Sequence, residues 1–260
     1  MYCNGGHLIG DYMVLIGATG DIHSPKYIQL FKETLEKTEI DKLDVLIFTG
    51  DIIYKGKINE LKNVLKILDD FEIKCPIISV FGNEEYEQLH NKIREIASGK
   101  IRFLEDELLE IKIRGKTLGI VGSKGSLDKP TTWQARNIPN IKEIYNKRVN
   151  KVDELLGQLN SDFKLLVLHY APTYKTLKGE KPGIYPFLGC KKYEKVITKR
   201  HPDVVIHGHA HSGKPKDYVG NVPIYNVALP LVKKIVTVKL PFKESLEYFF
   251  AKREDNERIS

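Results

Sequence analysis

The sequence contains little cysteine: its three cysteines are Cys3, Cys75 and Cys190. They lie far apart in the chain and form no C-x-x-C pair, which excludes a disulfide framework and a zinc ribbon as the basis of the fold. A chain with this pattern is typical of a reducing compartment. We therefore expect a cytoplasmic protein.

Long hydrophobic runs are also lacking. No stretch reaches the roughly 18 apolar residues that a membrane span requires, and the N-terminus lacks the basic and apolar regions of a secretion signal. We therefore expect no membrane partner. The 2 methionines, set against abundant Lys, Glu and Ile, weakly favour a thermophilic source, because charged networks stabilise proteins at high temperature.

The chain has no concentrated block of one charge, although its net charge is +7 and its pI is near 9.0. Lysine and arginine are scattered over the whole sequence, which indicates a solvated basic surface. A nucleic-acid-binding face is the alternative interpretation. Either surface would favour anionic substrates.

The length of 260 residues, 42% of them hydrophobic, is sufficient for one domain with a full core. We expect a single domain over 13–240, preceded by an extension (1–12) of unassigned role and followed by a C-terminal strand and polar tail (241–260). Short β-branched runs alternate with amphipathic helical patterns, which indicates a layered α/β fold.

The hydrophobic periodicity predicts the following elements. Strands are expected over 14–18, 44–49, 77–80, 108–113, 118–121, 165–168, 204–206, 222–227 and 235–238. Helices are expected after Ser24 and over 58–68, 89–96, 144–159 and 193–198. Long loops are expected over 122–139 and 171–189. The hairpin formed by 108–113 and 118–121 indicates that the sheet is mixed.

Five predicted strands end in residues that can bind metal ions. Each such residue alone is usually part of an ordinary turn or a buried histidine, but five in succession predict a site where strand ends converge. We expect Asp21 and His23, and likewise His209 and His211, to point the same way on extended backbone. The five segments are Gly20-Asp21-Ile22-His23, Gly50-Asp51, Gly82-Asn83, His169 and Gly208-His209-Ala210-His211.

This ordered set of motifs resembles that of the calcineurin-like metallophosphoesterase superfamily: D-x-H, G-D, G-N-H-[DE], H and G-H-x-H. The match extends from Gly20 to His211. The resemblance implies an α/β fold, specifically a four-layer α/β/β/α sandwich of two mixed β-sheets flanked by helices. It also implies a metal-dependent phosphoric ester hydrolase.

The resemblance further implies two metal sites that share Asp51. Asp21, His23 and His211 would hold one ion, and Asn83, His169 and His209 the other. The implied catalytic residues are Asp51, Asn83, Glu84 and His209. Nitrogen and oxygen ligands without thiolate favour two divalent or trivalent transition-metal ions, with Mn, Fe or Zn as the main candidates. A hydroxide bridging the two ions would attack phosphorus.

Glu84 departs from the family pattern, because the family has histidine there. It is followed by Glu85 at the family's acidic position. We expect an ionised Glu84 to be a poor proton donor and to repel a phosphate monoester more than a diester. The alternative is a solvated carboxylate at the start of a helix.

Three basic residues in the two long loops are predicted to bind substrate: Lys124, Arg136 and Lys175. The alternative for both loops is a packed connection without a role in binding. Among the histidines outside the ligand set, His207 is expected to be packed near the site, and His7, His90 and His201 to lie at the surface.

The favoured substrate is a small phosphodiester or nucleotide-like ester, so the expected function is that of a phosphodiesterase. A nuclease of the same superfamily, with nucleic acid as its partner, is the alternative. A catalytically weak metal-binding or protein-binding scaffold is the third hypothesis, although all seven candidate ligands are present. The sequence does not predict the oligomeric state.

Overall fold

A computed structural model describes residues 13–241 of the chain. The predicted extension (1–12) lies outside the described residues, as does the predicted C-terminal segment (241–260) apart from Pro241. The expected strand and polar tail can therefore be compared with the structure only at Pro241, which ends the last strand.

The described part of the chain contains eleven strands. They are β1 (Met13–Thr19), β2 (Val45–Phe48), β3 (Ile77–Val80), β4 (Arg102–Leu104), β5 (Glu107–Ile113), β6 (Lys116–Ser123), β7 (Phe163–Leu168), β8 (Val204–His207), β9 (Lys216–Val219), β10 (Val222–Asn226) and β11 (Val236–Pro241).

Seven α-helices connect these strands within the same described range. They are α1 (Ile28–Glu36), α2 (Glu60–Asp70), α3 (His90–Ala97), α4 (Thr132–Asn137), α5 (Ile141–Gln158), α6 (Lys192–Arg200) and α7 (Leu229–Val232). Short 3₁₀ turns lie in the connections, including two between β7 and α6.

The strands form two mixed sheets, as predicted. The first sheet has the order β11-β1-β2-β3-β4, and only β11 runs antiparallel to its neighbour. The second has the order β5-β6-β7-β8-β10-β9, with β5 and β9 antiparallel at its two edges. The central strands of each sheet are parallel, so their carboxyl ends lie at one edge of that sheet.

Apolar side chains fill the space between the two sheets and the space beneath the helices. Ile16 and Val80 of the first sheet and Ile120 and Ile206 of the second belong to one buried cluster between the sheets. A second cluster joins the first sheet to α1, α2 and α3, and a third joins the second sheet to α5 and α6. Because the central strands are buried on both faces, their sequences are continuous apolar runs. The predicted four-layer sandwich is confirmed.

The structure contains elements that the periodicity did not predict: β4, β9, α4 and α7. Strand β4 has only three residues, too few for a period of two to be recognised. Helix α4 lies within the predicted loop 122–139. Its start has a capping box, in which the Thr131 side chain accepts from the Gln134 backbone N–H and the Gln134 side chain accepts from the Thr131 N–H.

Two further expectations concern helices and cysteines. Within residues 13–241, none of the helices combines the length and the apolar character required to cross a membrane. Cys75 and Cys190 are both free thiols, in agreement with the expectation that disulfides do not organise this fold.

Candidate metal centre

The strand-end residues come together as two adjoining clusters. Asp21, His23 and His211 form the first cluster, and Asp51, His169 and His209 form the second. Within each cluster, one potential ligand atom from every residue lies within 4.8 Å of the others.

Asp51 lies between the clusters. Its Oδ2 is 3.5 Å from His169 Nε2 in the second cluster and 3.8 Å from His23 Nε2 in the first. Asn83 adjoins the second cluster, because its Oδ1 is 2.9 Å from His169 Nε2. The seven candidate ligands therefore form one continuous group with Asp51 at its middle.

The backbone at four of these residues is left-handed, a conformation that is uncommon for residues other than glycine. The φ angles are 57° at Asp21, 43° at His23, 51° at Asp51 and 68° at His209. The prediction of extended backbone at the pairs Asp21–His23 and His209–His211 is therefore wrong. Tight turns, rather than alternation along a strand, bring the paired side chains together. Such unfavourable backbone conformations are concentrated at functional sites.

Two glycines allow the strand-end loops to approach the carboxylates closely. A Cβ atom at Gly82 would overlap the Asp51 carboxylate, and one at Gly208 would overlap that of Asp21. Both positions therefore require glycine for steric reasons.

The two aspartates of the site are held by backbone N–H groups. The Glu84 N–H donates to Asp51 Oδ1 at 2.8 Å, and the His209 N–H donates to the two carboxylate oxygens of Asp21 at 3.1 and 3.0 Å. These contacts fix the directions of both carboxylates before any ligand binds.

Glu85 is a buried carboxylate that holds the Asp51 loop in place. Its Oε2 accepts the N–H groups of Asp51 and Gly82, each at 2.8 Å, and its Oε1 accepts that of Ile53 at 3.0 Å. Burial, reinforced by the nearby Glu85 and Asp21, raises the pKa of Asp51 well above its ordinary value. A cation beside Asp51 would offset the cost of burying these carboxylates together.

The hydrogen bonds of His169 identify which ring nitrogen is free to bind a metal ion. Its Nδ1 lies 2.8 Å from the Thr49 carbonyl oxygen, which can only accept, so Nδ1 carries the proton. Burial lowers the pKa of His169 well below its ordinary value, which keeps the ring neutral. The lone pair of Nε2 then faces Asn83 Oδ1, which is also an acceptor. A cation bound by both atoms would remove the repulsion between them.

A similar arrangement exists in the first cluster. His23 Nε2 and His211 Nε2 face each other at 3.4 Å, and Asp21 Oδ1 is 3.1 Å from the same His211 nitrogen. Burial lowers the pKa of His23 to about 4, so its ring is neutral at physiological pH. Two imidazoles and a carboxylate converging on one point form a ligand set suited to a transition metal.

The Glu84 carboxylate is held by contacts with Lys55 and Asn83. Its Oε2 accepts the Lys55 N–H at 2.6 Å, and its Oε1 lies 3.4 Å from Asn83 Nδ2. With the Asn83 amide nitrogen directed to Glu84, the amide oxygen is directed to His169. If the amide were flipped, its oxygen would face the Glu84 carboxylate, which is unfavourable.

The three predicted substrate-binding residues lie in different surroundings. Lys124 is half-buried, and its burial, with Arg148 nearby, lowers the pKa of its ammonium group; Asp51 and Glu85 act in the opposite direction. Arg136 is exposed in the last turn of α4, and Lys175 Nζ donates to the Tyr218 carbonyl oxygen at 2.8 Å. No contact described within residues 13–241 joins Arg136 or Lys175 to the clusters.

Two histidines outside the ligand set also have defined positions. His207 is buried as expected, and its ring nitrogens each lie 2.8 Å from a partner, Gly208 O and Thr176 Oγ1. The expectation that His90 lies at the surface is wrong. It is buried, stacks on Phe81 with ring centroids 3.6 Å apart, and contacts the Glu85 carbonyl oxygen at 3.1 Å.

Three aromatic residues near the clusters were not identified from the sequence. Tyr170 is buried against His209, with ring centroids 4.9 Å apart. Tyr27 and Tyr54 lie beside His23, with centroids 6.3 and 6.0 Å from its ring. Tyr170 directly follows a candidate ligand in sequence, a signal that could have identified it. Tyr27 and Tyr54 belong to no motif.

A two-sheet sandwich with paired carboxylate and histidine clusters at its strand ends defines the class of metallophosphoesterases. The chain belongs to the calcineurin-like phosphoesterase family, whose model matches residues 14–213. Membership implies a phosphoric ester hydrolase and confirms the resemblance inferred from the motifs. No curated protein sequence matched this chain.

Several solved structures share the fold at low sequence identity. Phosphopantetheinyl hydrolase from Mycobacterium tuberculosis is 16% identical, with a TM-score of 0.63 over 84% of this chain and 90% of its own. A dimetal phosphatase from Danio rerio is 12% identical, with a TM-score of 0.58 over 89% and 100% of the two chains. TT1561 of Thermus thermophilus is 15% identical, with a TM-score of 0.55 over 87% and 98%.

Proposed function

We propose that this protein is a dinuclear metal-dependent phosphodiesterase that acts on a small phosphodiester or nucleotide-like substrate. The observation that carries the proposal is the position of Asp51 between two clusters whose imidazoles and carboxylates converge. That arrangement suits two metal ions sharing one carboxylate. The named hydrolase and phosphatase with the same fold are consistent with the broader class of phosphate-ester hydrolysis.

The residues of this chain would bind and orient the two ions. Asp21, His23 and His211 would hold the first, Asn83, His169 and His209 would hold the second, and the Asp51 carboxylate would be shared by the two sites. Mn, Fe or Zn fits the mixed nitrogen and oxygen ligands. Two such ions supply an activated water and neutralise charge on the phosphoryl oxygens.

The surrounding residues keep this arrangement rigid. Glu85 anchors three backbone N–H groups of the loops that carry Asp51 and Asn83, and Tyr170 packs against two ligand histidines. Burial of this kind excludes water and strengthens the interactions of charged groups inside the site.

Lys124 is the predicted substrate-binding residue that the surrounding charges support best. It is half-buried and is influenced electrostatically by Asp51, Glu85 and Glu87. We propose that its ammonium group attracts the phosphoryl group to the centre. Arg136 and Lys175 remain sequence-based predictions of substrate binding, as do a cytoplasmic location and a thermophilic source.

We propose that Glu84 favours diesters over monoesters. Its carboxylate lies beside Asn83 and the Lys55 backbone, so it positions the Asn83 amide and adds negative charge near the centre. A monoester carries nearly two negative charges and a diester carries one, so the monoester is repelled more strongly. A carboxylate held in this way is also a poor proton donor to the leaving group.

Replacing Glu84 with glutamine tests this proposal. We expect wild-type protein with Mn added to prefer bis(4-nitrophenyl) phosphate to 4-nitrophenyl phosphate. In Glu84→Gln, the ratio of the two kcat/KM values should fall about tenfold, because the repulsion of the monoester is removed. Glu36→Gln removes an exposed carboxylate at the end of α1 as the control and should leave the ratio unchanged.

Two outcomes would contradict this account. If monoesters are the better substrates of the wild type and Glu84→Gln abolishes their cleavage, Glu84 acts as an acid and our assignment is wrong. If only nucleic acid is cleaved, with affinity that falls steeply as salt rises, the protein is the alternative nuclease.

A further inference from the structure

A group of half-buried tyrosines and exposed lysines lies beside the first metal cluster. Two segments contribute to it: the turn after β1 and the loop between β2 and α2. We call it the tyrosine–lysine rim, and it consists of Lys26, Tyr27, Tyr54, Lys55 and Lys57. Both tyrosines are half-buried and all three lysines are exposed.

The rim is attached directly to the metal centre. The rings of Tyr27 and Tyr54 meet the His23 ring at interplanar angles of 62° and 82°, so they flank the ligand histidine. The Lys26 N–H donates to the His23 carbonyl oxygen at 2.7 Å. A group bound at the rim would therefore lie beside a phosphate held at the clusters.

The two rim segments are fixed to each other and to the centre. The Tyr54 N–H donates to the Ser24 carbonyl oxygen at 3.1 Å, and the Lys57 N–H donates to that of Tyr54 at 3.1 Å. The Lys55 N–H is held by the Glu84 carboxylate. Both segments thus have a defined backbone position relative to His23, as a specific binding site requires.

The rings of Tyr27 and Tyr54 hold the ammonium groups of the rim lysines in position. The Lys26 ammonium lies 4.8 Å from the centre of the Tyr27 ring, and the Lys55 and Lys57 ammonium groups lie 5.0 and 5.9 Å from that of Tyr54. Such cation–π contacts restrain an otherwise mobile lysine. Because lysine ammonium groups lie beside both rings, the rim presents cations.

Within residues 13–241, the charges of the rim lysines are not neutralised by ion pairs. Two carboxylates lie nearby: Glu84 accepts the Lys55 N–H, and Glu60 accepts the Ser24 hydroxyl at 2.8 Å. No ion pair joins a rim lysine to a carboxylate among the residues that the structure describes. The rim can therefore bind an external anion.

We propose that the tyrosine–lysine rim binds a second phosphate group of the substrate, one that lies outside the ester bond that is cleaved. This inference rests on the proposed function and specifies its substrate class as phosphodiesters that carry an additional phosphate. The scissile phosphate occupies the two clusters, and the Lys26 and Lys55 ammonium groups contact the second phosphate across His23.

The test compares two substrates that share the same reacting ester. Thymidine 5′-(4-nitrophenyl phosphate) is used with and without a 3′-phosphate, on Mn-loaded wild type and on the double variant Lys26→Gln/Lys55→Gln. Wild type should show a lower KM for the 3′-phosphorylated ester. In the double variant, the ratio of the two KM values should move about tenfold towards equality. The effect is of this size because each exposed charge contributes modestly.

Calorimetric titration of thymidine 5′-phosphate and thymidine 3′,5′-bisphosphate provides a readout independent of turnover. The ratio of their Kd values should change about tenfold in the rim variant, in parallel with KM. Lys32→Gln/Lys62→Gln is the matched control, because it removes two exposed lysines from α1 and α2. It should retain the wild-type ratio.

The outcomes separate this inference from the proposed function. The rim inference is overturned if the rim variant and the control change the KM and Kd ratios equally, or if wild type shows no preference for the second phosphate. In either case, hydrolysis of the simpler ester still supports the proposed function. If wild type neither binds these nucleotides nor hydrolyses either ester, both proposals are overturned.

Discussion

Replacing Asp51 with asparagine should reduce phosphodiester hydrolysis by roughly 10³-fold, equivalent to about 4 kcal/mol of transition-state stabilisation. The substitution removes the negative charge that joins the two clusters, while its amide oxygen can still accept the Glu84 N–H. Without metal, the variant should be at least as stable as wild type. The reason is that burial next to Glu85 and Asp21 already disfavours the charged form of Asp51.

Asp44→Asn is the matched control for this prediction. Asp44 immediately precedes β2, at the end of that strand opposite to Asp51, where it accepts the Leu15 N–H at 2.8 Å and pairs with Arg114 at 2.9 Å. This variant should lose some thermal stability and keep its activity. Near-normal turnover of Asp51→Asn with unchanged metal content would show that the site is assigned wrongly.

Replacing His209 with alanine should remove the ion of the second cluster and lower turnover by about a hundredfold or more. His209 carries one of the left-handed φ angles, and burial lowers the pKa of its ring well below the ordinary value, which keeps it neutral for binding metal. Elemental analysis of the purified variant should find about one equivalent fewer metal than wild type.

His207→Gln is the control for the His209 variant. His207 is buried two residues away, but its ring nitrogens contact Gly208 and Thr176 and do not face the clusters. Glutamine retains a donor and an acceptor at this position. If both variants lose metal to the same extent, the loss reflects disruption of the β8 loop and His209 is not a ligand.

The sequence was sufficient to predict the fold class and the convergence of the candidate ligands. Central parallel strands such as β3 are apolar on both faces, and the predicted range 77–80 coincides with the observed strand. Gly82 and Gly208 mark turns that bring the loops against the carboxylates. Periodicity and turn residues are local signals, so they are readable without knowledge of the tertiary structure.

The backbone conformation of the site could not be predicted in this way. Asp21 and His23 were expected on extended backbone, but both have left-handed φ angles. Such conformations are imposed by tertiary contacts, here the hydrogen bonds of the Asp21 and His23 N–H groups to the carbonyl oxygens of Gly50 and Asp51. Residue preferences alone favour the opposite result.

The tyrosine–lysine rim was missed for a related reason. Its two segments are separated in sequence by α1 and β2 and are brought together by the hydrogen bond from the Tyr54 N–H to the Ser24 carbonyl oxygen. A tyrosine next to a lysine has no distinctive spacing. His90 was misjudged because its burial depends on Phe81 and Glu85, which belong to another segment.

Metal stoichiometry tests most directly whether this chain holds two metal ions that share Asp51. The protein should be stripped with a chelator, reconstituted with excess Mn, freed of unbound metal and analysed by elemental mass spectrometry. We expect two equivalents of Mn per chain in wild type and a clear loss in Asp51→Asn. A wild-type value near one or zero would contradict the dinuclear centre and, with it, the proposed mechanism.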